Sequence, residues 1–368
     1  MTALSLRRFR NLAPHDLEIP REGVALVGEN AQGKSNFLEA IYYLETLRSF
    51  RGARDDQLVA FGEEVFRVVG TASCAGSRRE VAAAWQRTGR RRRVTIDGEE
   101  PERMIDAIGH MAAVLFSPAD VAIVSGGPAE RRRFLDIVLS LNLDGYVEAL
   151  SEYRHVLAQR NATLKERDAE RTLHLWTEPL IRAGARIVFE RHRWVTDTAD
   201  ALARYSSEIS GGEAARQRYV PNFEIPEAPT HEGVADAFRE ALSEAVTNDL
   251  RLRTTTVGPH RDEVRFHLGD EREVDLREFG SGGQQRTVAL ALRLIEADTI
   301  RRRRGHEPIV LMDDVFAELD RGRSERIMRL IDGEDTGQVI LTAPRESDVR
   351  LRADALPRWS IAAGRITA

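Results

Sequence analysis

The sequence predicts an α/β fold in which one head, built from both ends of the chain, is split by a mostly helical second lobe. Short strands alternate with helices up to residue 124 and again from residue 254 onward, which is typical of helices packed on a sheet. The section 125–253 reads as mostly helical with a short helical hairpin, too short for a coiled-coil arm. We therefore assign 1–124 and 254–368 to the two parts of the head and 125–253 to the helical lobe.

The composition excludes several classes of protein. Of the 368 residues 42% are hydrophobic, which is ample for buried cores, but no apolar run approaches the roughly 20 residues that a membrane span needs. The net charge of −5 gives no global case for nucleic-acid binding, so any such binding must be local. The single cysteine, Cys74, excludes a disulfide framework and suits a reducing compartment. We therefore expect a cytoplasmic protein with no membrane partner.

A glycine-rich loop with a lysine lies early in the chain. The segment from Gly28 to Ser35 fits the pattern G-x-x-x-x-G-K-[ST], and Lys34 is one of only two lysines in the chain. A short buried strand, 23–27, precedes the loop, and an amphipathic helix, 35–47, follows it. Because amide groups and a helix N-terminus attract anions, this context predicts a phosphate-binding loop. The alternative is a glycine turn with a solvated lysine.

The chemistry of the loop assigns roles to its residues. We expect Lys34 to reach the β and γ phosphates of a nucleoside triphosphate, where it takes part in catalysis, and Ser35 to hold Mg²⁺. The predicted nucleotide-binding residues are Gly28, Glu29, Asn30, Ala31, Gln32, Gly33, Lys34, Ser35 and Asn36.

An acidic element follows a second buried strand far along the chain. Residues 308–312 are apolar and are followed by Asp313 and Asp314. One carboxylate at the tip of such a strand can bind Mg²⁺, and a second can orient the attacking water. We assign the metal role to Asp313 and the catalytic role to Asp314. The alternative is an ordinary strand that ends in an acidic turn.

The turn from Ser281 to Gln284 opens a helix and offers a hydroxyl group, free amides and a helix dipole. It is a second anion site, which one phosphate loop does not need. We therefore expect Ser281, Gly282, Gly283 and Gln284 to bind the nucleotide held by another subunit; the alternative is a simple glycine N-cap. A similar segment, 209–213, follows a helix, and we interpret it as a helix terminator.

The order of these motifs is that of ABC-type ATPases: phosphate loop, Ser-Gly-Gly-Gln turn, acidic strand, and then Glu318-Leu319-Asp320. In that order Asp320 falls in the loop that contacts the partner subunit. The strand 338–341 is followed by Thr342, at the position where ABC ATPases usually have a switch histidine. A threonine is a weaker sensor of the γ-phosphate, so we expect slow hydrolysis.

Shorter motifs occur along nearly the whole chain. They are FRN at 9–11, RSFR at 48–51, FSPAD at 116–120, RRRFLD at 131–136, QRN at 159–161 and GPHRD at 258–262. The segments GENAQGKSNFLEAIYYL, FGSGGQQRTVALALRL and LMDDVFAELD complete the set. Together they resemble the motifs of the RecF family, a bacterial branch of the SMC-type ATPases. The fold that this resemblance implies is an ABC/SMC-type ATPase head, with a phosphate loop and mixed sheets, split by the helical lobe.

The resemblance also implies a function. It implies a weak ATPase that dimerises when ATP binds, with ATP and Mg²⁺ as cofactors. It further implies binding to duplex DNA and to junctions of single- and double-stranded DNA in gap repair, with RecR and RecO as partners in loading RecA. Another SMC-like ATPase head of DNA repair is an alternative. A transporter-coupled ABC ATPase would need a membrane partner and usually a switch histidine, and Thr342 argues against it.

Arginine clusters are the candidates for local contact with DNA. Arg131, Arg132 and Arg133 open a helix, where positive charge is unfavourable unless a phosphate or carboxylate lies nearby. We predict that these three residues and Arg51 contact DNA phosphates; the alternative is a structural role. For His260 of the GPHRD motif, a structural histidine that bonds a loop is the favoured interpretation.

Overall fold

The computed structural model describes residues 1–74, 77–269, 274–331, 337–349 and 356–368. Its strands are β1 (Ala3–Arg7), β2 (His15–Glu18), β3 (Gly23–Val27), β4 (Val65–Cys74), β5 (Ser77–Gln86), β6 (Arg91–Ile96), β7 (Ala113–Phe116), β8 (Ala215–Val220), β9 (Glu263–Leu268), β10 (Val274–Asp275), β11 (Ile309–Asp313), β12 (Val339–Ala343), β13 (Arg358–Ala362) and β14 (Arg365–Thr367). Its helices are α1 (Lys34–Thr46), α2 (Asp55–Leu58), α3 (Ala122–Ser125), α4 (Pro128–Asn142), α5 (Tyr146–Thr163), α6 (Ala169–Thr172), α7 (His174–Asp197), α8 (Ala199–Ser210), α9 (His231–Leu252), α10 (Gly282–Arg304) and α11 (Arg321–Ile331).

The first of two compact units comprises residues 1–120 and 292–368, and it contains a mostly parallel sheet. The strand order is β14-β13-β3-β12-β11-β7, in which β14 runs antiparallel to β13 and the other neighbours are parallel. The strands β3, β12 and β11 are apolar and almost wholly buried, as expected for a sheet covered on both faces. Because parallel strands point the same way, the residues that follow β3 and end β11 and β12 meet at one edge.

A second sheet of the same unit is antiparallel, with the order β2-β1-β4-β5-β6. Its first two strands, β1 and β2, are antiparallel, with Leu4 opposite Leu17. Helix α1 packs against strands of both sheets, which explains why nearly all of its residues are buried. Aromatic rings fix one of these contacts: Phe66 lies 5.2 Å from Phe9 and 5.5 Å from Tyr43, both in edge-to-face arrangements.

The second unit, residues 121–291, combines helices with a small sheet. Helix α7 packs against α5 and α9, and α5 with α7 forms the short hairpin that the sequence predicts. The sheet has the order β10-β9-β8 and is antiparallel. Among the helices of the described residues, none is long and apolar enough to cross a membrane.

The division into units differs from the predicted one at its second boundary, residue 254. Residues 254–291 group with the second unit, not with the head. The physical reason is strand pairing: β9 forms a ladder with β8, in which Tyr219 lies opposite Val264. The sequence did not predict the strand β8, so it gave no reason to place β9 with the helical lobe.

Buried ion pairs hold the second unit together, and they account for three of the short motifs. Arg160 of the QRN motif is 1% exposed and donates to Asp249 over 2.7 Å. Arg191 donates to Asp136 of the RRRFLD motif over 2.9 Å and lies 3.7 Å from Asp262 of the GPHRD motif. The carboxylate of Asp262 also accepts hydrogen bonds from Tyr219 and from a backbone amide. These residues serve the fold, because a buried charge must be paired.

Candidate nucleotide site

The loop between β3 and α1 needs its two glycines for different reasons. Gly33 caps α1 with φ of 114°, in the left-handed region that side chains disfavour, and a Cβ there would lie 2.9 Å from Asn11 Oδ1. At Gly28 a Cβ would lie 2.4 Å from the carbonyl oxygen of Ile361. Since both positions exclude a side chain, the backbone curls tightly in front of the helix N-terminus. That is the shape in which loop amides can surround a phosphate.

The side chain of Lys34 lies across this loop. Its Nζ donates to the carbonyl oxygens of Gly28 over 2.6 Å and Glu29 over 3.0 Å. Burial lowers the pKa of Lys34, and the charges of Asp314 and Asp313 oppose that shift. The ammonium group is therefore held at the loop by carbonyl dipoles, where phosphate oxygens could replace them as stronger partners.

The end of β11 meets the loop through hydrogen bonds to Asp313. Ser35 Oγ donates to Asp313 Oδ1 over 2.8 Å, although the two residues are 278 positions apart in the chain. Thr342 Oγ1, on the neighbouring strand β12, lies 3.0 Å from the same carboxylate oxygen. Burial raises the pKa of Asp313, against hydrogen bonds from Ser35 and Thr342 that favour the ionised form. Two residues that the sequence assigned to the metal, Ser35 and Asp313, thus lie in direct contact.

The next residue, Asp314, leaves the strand in a left-handed conformation with φ of 53°. Its backbone amide donates to Thr342 Oγ1 over 3.1 Å. The same hydroxyl therefore lies against both acidic residues at the strand ends. The negative charge of Asp314 is the largest influence that opposes the lowering of the Lys34 pKa by burial. The positive φ is uncommon for a residue with a side chain and turns Asp314 away from the line of the strand.

Two motifs of the N-terminal half brace helix α1, and sequence reasoning missed this role. Glu39 is fully buried and accepts two hydrogen bonds from Arg10, at 2.8 and 2.9 Å. Ser49 also donates to Glu39, over 2.5 Å. The FRN and RSFR motifs therefore converge on one carboxylate. A glutamate on the buried face of an apolar helix was the signal available in the sequence, because a buried charge requires a partner.

The residue after the predicted loop serine, Asn36, links the same two motifs. Asn36 donates to Asn11 over 2.7 Å and accepts from Arg51 over 3.0 Å. Asn11 in turn lies 3.5 Å from the carbonyl oxygen of Ala31 in the loop. Arg51, which was predicted to contact DNA, is thus positioned beside the nucleotide loop.

The turn before α10 is capped by its own side chains. Gln284 Oε1 accepts from the backbone amide of Ser281 over 2.9 Å, and Ser281 Oγ lies 3.3 Å from the amide of Gln284. This is a capping box, so the cap is a serine and not a glycine. Gly282 has open space where a Cβ would be. Ser281 and Gly282 are exposed, and Gly283 and Gln284 are half-buried. The turn lies in the second unit, whereas the loop lies in the first.

The segment 209–213 ends α8, in agreement with its interpretation as a helix terminator. Gly211 has φ of 88° and Gly212 has φ of 139°. The segment also approaches the capped turn, because Gln284 Nε2 lies 3.3 Å from a carboxylate oxygen of Glu213.

Asp320 is the N-cap of α11. Its carboxylate accepts from the backbone amide of Arg323 over 2.9 Å, and that hydrogen bond lowers the pKa of Asp320. The side chain is exposed, as a residue for contact with a second subunit would need to be.

The three arginines that open α4 differ in their surroundings. Arg131 is 3% exposed, donates to both carboxylate oxygens of Glu263 at 2.6 and 2.8 Å, and also binds the carbonyl of Gly126. The structure contradicts the predicted DNA contact of Arg131, because its guanidinium is buried and already paired with Glu263. Arg132 is half-buried and donates to the carbonyl of Asp262 over 2.6 Å. Of the three, Arg133 is exposed.

His260 has a structural environment. Its Nδ1 lies 2.6 Å from the hydroxyl of Tyr153, and its Nε2 lies 3.1 Å from the carbonyl oxygen of Thr255. Only a neutral ring can accept from the tyrosine and donate to the carbonyl. Burial lowers the pKa of His260 to about 4, which keeps the ring neutral. This agrees with the favoured interpretation, a histidine that bonds a loop.

The fold and the loop geometry define a nucleotide-binding head of the ABC/SMC type. The family model described as "RecF/RecN/SMC N terminal domain" matches residues 1–361. The head of Smc from Pyrococcus furiosus, solved with the C-terminal domain of ScpA, has a TM-score of 0.56 to this chain. It is 17% identical, covers 100% of this chain and 94% of its own, and so supports the fold alone.

Proteins with higher sequence identity identify the family within this class. The DNA replication and repair protein RecF of Gloeobacter violaceus is 38% identical over 348 residues, which cover 93% of this chain and 91% of the relative. A solved structure of "the recombination mediator protein RecF-ATP in RecFOR pathway" has a TM-score of 0.90 and is 30% identical, over 100% of this chain and 96% of that one. The chain belongs to the RecF family of SMC-type ATPases.

Proposed function

We propose that this chain is an ATP-dependent DNA-binding protein of recombinational gap repair. It binds ATP and Mg²⁺, dimerises, hydrolyses ATP slowly, and acts in the cytoplasm with RecO and RecR to help load RecA. The observation that carries the nucleotide part is the hydrogen bond between Ser35 and Asp313, beside Lys34. The DNA and partner parts rest on the relatives, which are named as RecF proteins of DNA replication and repair and of the RecFOR pathway.

The donor set fits Mg²⁺. A hydroxyl and a carboxylate from Ser35 and Asp313 face each other at 2.8 Å, and Mg²⁺ prefers oxygen ligands of this kind together with phosphate oxygens and water. Two protein ligands are enough for such a site, so the lack of any group of three metal-binding residues in the described ranges does not oppose it. When bound, the ion would neutralise charge on the phosphates. It would also favour the ionised form of Asp313, whose pKa burial raises.

The residues of the chain then have separate roles. Lys34 exchanges the carbonyls of Gly28 and Glu29 for the β and γ phosphate oxygens. Asp314 orients the attacking water. The hydroxyl of Thr342 lies against both Asp313 and the amide of Asp314. Thr342 would sense the presence of the γ-phosphate only through this short side chain. Slow hydrolysis follows, because a threonine is a weaker sensor of the γ-phosphate than the histidine that ABC ATPases usually have at this position.

The capped turn completes the site of a second copy of the chain. The backbone amides of Ser281 and Gln284 are already capped, so the amides of Gly282 and Gly283, together with the dipole of α10, would bind the anion. Two protomers would then enclose two ATP molecules across a two-fold axis, and Asp320 would lie in the contact. The exposed Arg133 is the first candidate for contact with DNA phosphates, and Arg132 is the second. Arg51 has its primary role beside the nucleotide loop, where it contacts Asn36.

DNA binding with and without ATP tests the proposal. We expect affinity for duplex DNA and for gapped DNA with single-strand to double-strand junctions to rise in Mg²⁺-ATP, with a steep dependence on salt. The Lys34→Ala variant should show no such rise and serves as the matched control. Equal affinity in both nucleotide conditions would contradict ATP-dependent DNA binding, while leaving the nucleotide site itself in place.

A further inference from the structure

The hairpin formed by β13 and β14 lies against the nucleotide loop although it is separated from it by more than three hundred residues. The backbone amide of Ala363 donates to Gln32 Oε1 over 2.6 Å. The amide of Gly364 donates to the carbonyl oxygen of Gln32 over 2.9 Å. Both backbone amides of the turn therefore donate to Gln32, and we call this pair of hydrogen bonds the clasp.

The shape of this turn makes the contact specific. Ala363 and Gly364 have φ of 48° and 77°, so both central residues of the two-residue turn are left-handed. An alanine in that region is strained, and the strain persists only where its surroundings hold it. A Cβ on Gly364 would lie 1.9 Å from the carbonyl oxygen of Asn11. The turn therefore fits between the loop and the FRN motif with no room for a side chain.

Further contacts extend from the turn to both ends of the loop. The carbonyl oxygen of Gly364 accepts from the amide of Ala13, just after the FRN motif. The carbonyl oxygen of Ile361, in β13, is what excludes a side chain at Gly28, and its side chain lies 3.3 Å from a Cβ built on Gly33. The hairpin thus contacts Gly28, Gln32 and Gly33 of the loop.

We propose that the Ala363-Gly364 turn is a working part of the nucleotide site, and that Gln32 is a positioning residue through which the turn holds the loop in its phosphate-binding shape. Gln32 acts through the turn and not on the phosphate: its side-chain oxygen is occupied by Ala363. The loop is then preorganised before ATP arrives, so less ordering has to accompany binding. Loss of the clasp would raise the Kd for ATP without touching the groups that act on the γ-phosphate. This inference rests on the proposed function of the loop.

The test compares Gln32→Met with Gln57→Met. Both changes remove a side-chain oxygen that accepts from a backbone amide, since Gln57 Oε1 accepts from Arg54 over 2.9 Å. The Gln57 side chain caps α2, and only its backbone carbonyl, which Gln57→Met retains, accepts from Arg10. We expect Gln32→Met to raise the Kd and KM for ATP about fivefold to tenfold, the worth of one hydrogen bond, with kcat at saturating ATP unchanged. Gln57→Met should leave the Kd unchanged.

A second pair addresses the turn itself. Gly364→Ala must displace the turn or Asn11, whereas Gly305→Ala has a similar φ of 69° and open space around its Cβ. We expect only Gly364→Ala to raise the Kd for ATP. If Gln32→Met lowers the melting temperature but binds ATP like Gln57→Met, the clasp is merely structural and the proposal is overturned. If instead Lys34→Ala retains wild-type ATP affinity, the loop assignment fails, which is a different result.

Discussion

Replacing Asp313 by Asn or by Ala should separate folding from function at the nucleotide site. Asp313 is 8% exposed, and its Oδ1 lies within hydrogen-bonding distance of both Ser35 and Thr342, at 2.8 and 3.0 Å. Asn keeps an oxygen at that position and removes a carboxylate whose pKa is raised by burial. Asp313→Asn should therefore be as stable as the wild type without nucleotide, or slightly more stable.

Asp313→Ala removes the carboxylate oxygen that accepts from both Ser35 and Thr342, so two hydrogen bonds are lost. At about 1 kcal/mol for each hydrogen bond, the cost is about 2 kcal/mol, or roughly 4–8 °C in melting temperature. Both variants should lose Mg²⁺-dependent ATP binding by at least about tenfold, because neither supplies a carboxylate to the ion. Thermal melts without nucleotide and ATP titrations with Mg²⁺ or EDTA measure the two effects. The reasoning is refuted if Asp313→Asn binds Mg²⁺-ATP like the wild type, or melts as low as Asp313→Ala.

Four further outcomes are expected. Lys34→Ala should abolish ATP binding in titration calorimetry, whereas Lys34→Arg should bind ATP but turn it over slowly; intact binding in Lys34→Ala would remove the loop assignment. Asp314→Asn should bind ATP and stay dimeric but hydrolyse more slowly, and turnover equal to wild type would exclude its role in orienting water. Burial lowers the pKa of His260 from 6.5 to about 4 in the folded protein, so the free energy of unfolding should fall as the pH falls below 6.5. Between pH 6.5 and pH 5, 1.5 pH units, the loss is about 2 kcal/mol. In urea melts, His260→Gln should lack this pH-dependent loss of stability. Arg133→Ala should weaken DNA binding across sequences and reduce the salt slope by about 1, and an unaltered slope would assign Arg133 to a structural role.

The nucleotide site was largely predictable from the sequence because its parts are local. A loop between a strand and a helix carries its own signal in the spacing of Gly28, Gly33 and Lys34. The approach of Ser35 to Asp313 across 278 residues was also predictable, because both follow or end strands of one parallel sheet. What brings them together is the general rule that such strand ends share an edge.

Contacts between distant side chains were not predictable in the same way. The position of Arg131 at a helix N-terminus called for a phosphate or carboxylate partner, but the sequence did not show which. Its partner, Glu263, lies 132 residues away on a strand that was assigned to the head. The burial of strand β8, ARQRYV, alternates along the strand, but the hydrophobic letters do not: polar Gln217 is on the more buried side and apolar Val220 on the other. The sequence therefore shows no clear period of two. The clasp on Gln32 likewise depends on backbone amides of Ala363 and Gly364, and a backbone amide has no sequence signal of its own.

The mass of the protein in solution with and without ATP tests the central claim most directly. Sedimentation velocity should show a monomer without nucleotide and a dimer in Mg²⁺-ATP. Lys34→Ala should stay monomeric because it does not bind ATP. Ser281→Arg should bind ATP as tightly as the wild type and still stay monomeric, because its turn cannot accept the partner's nucleotide. If Ser281→Arg dimerises with ATP as the wild type does, the second copy does not complete the site and the account is contradicted.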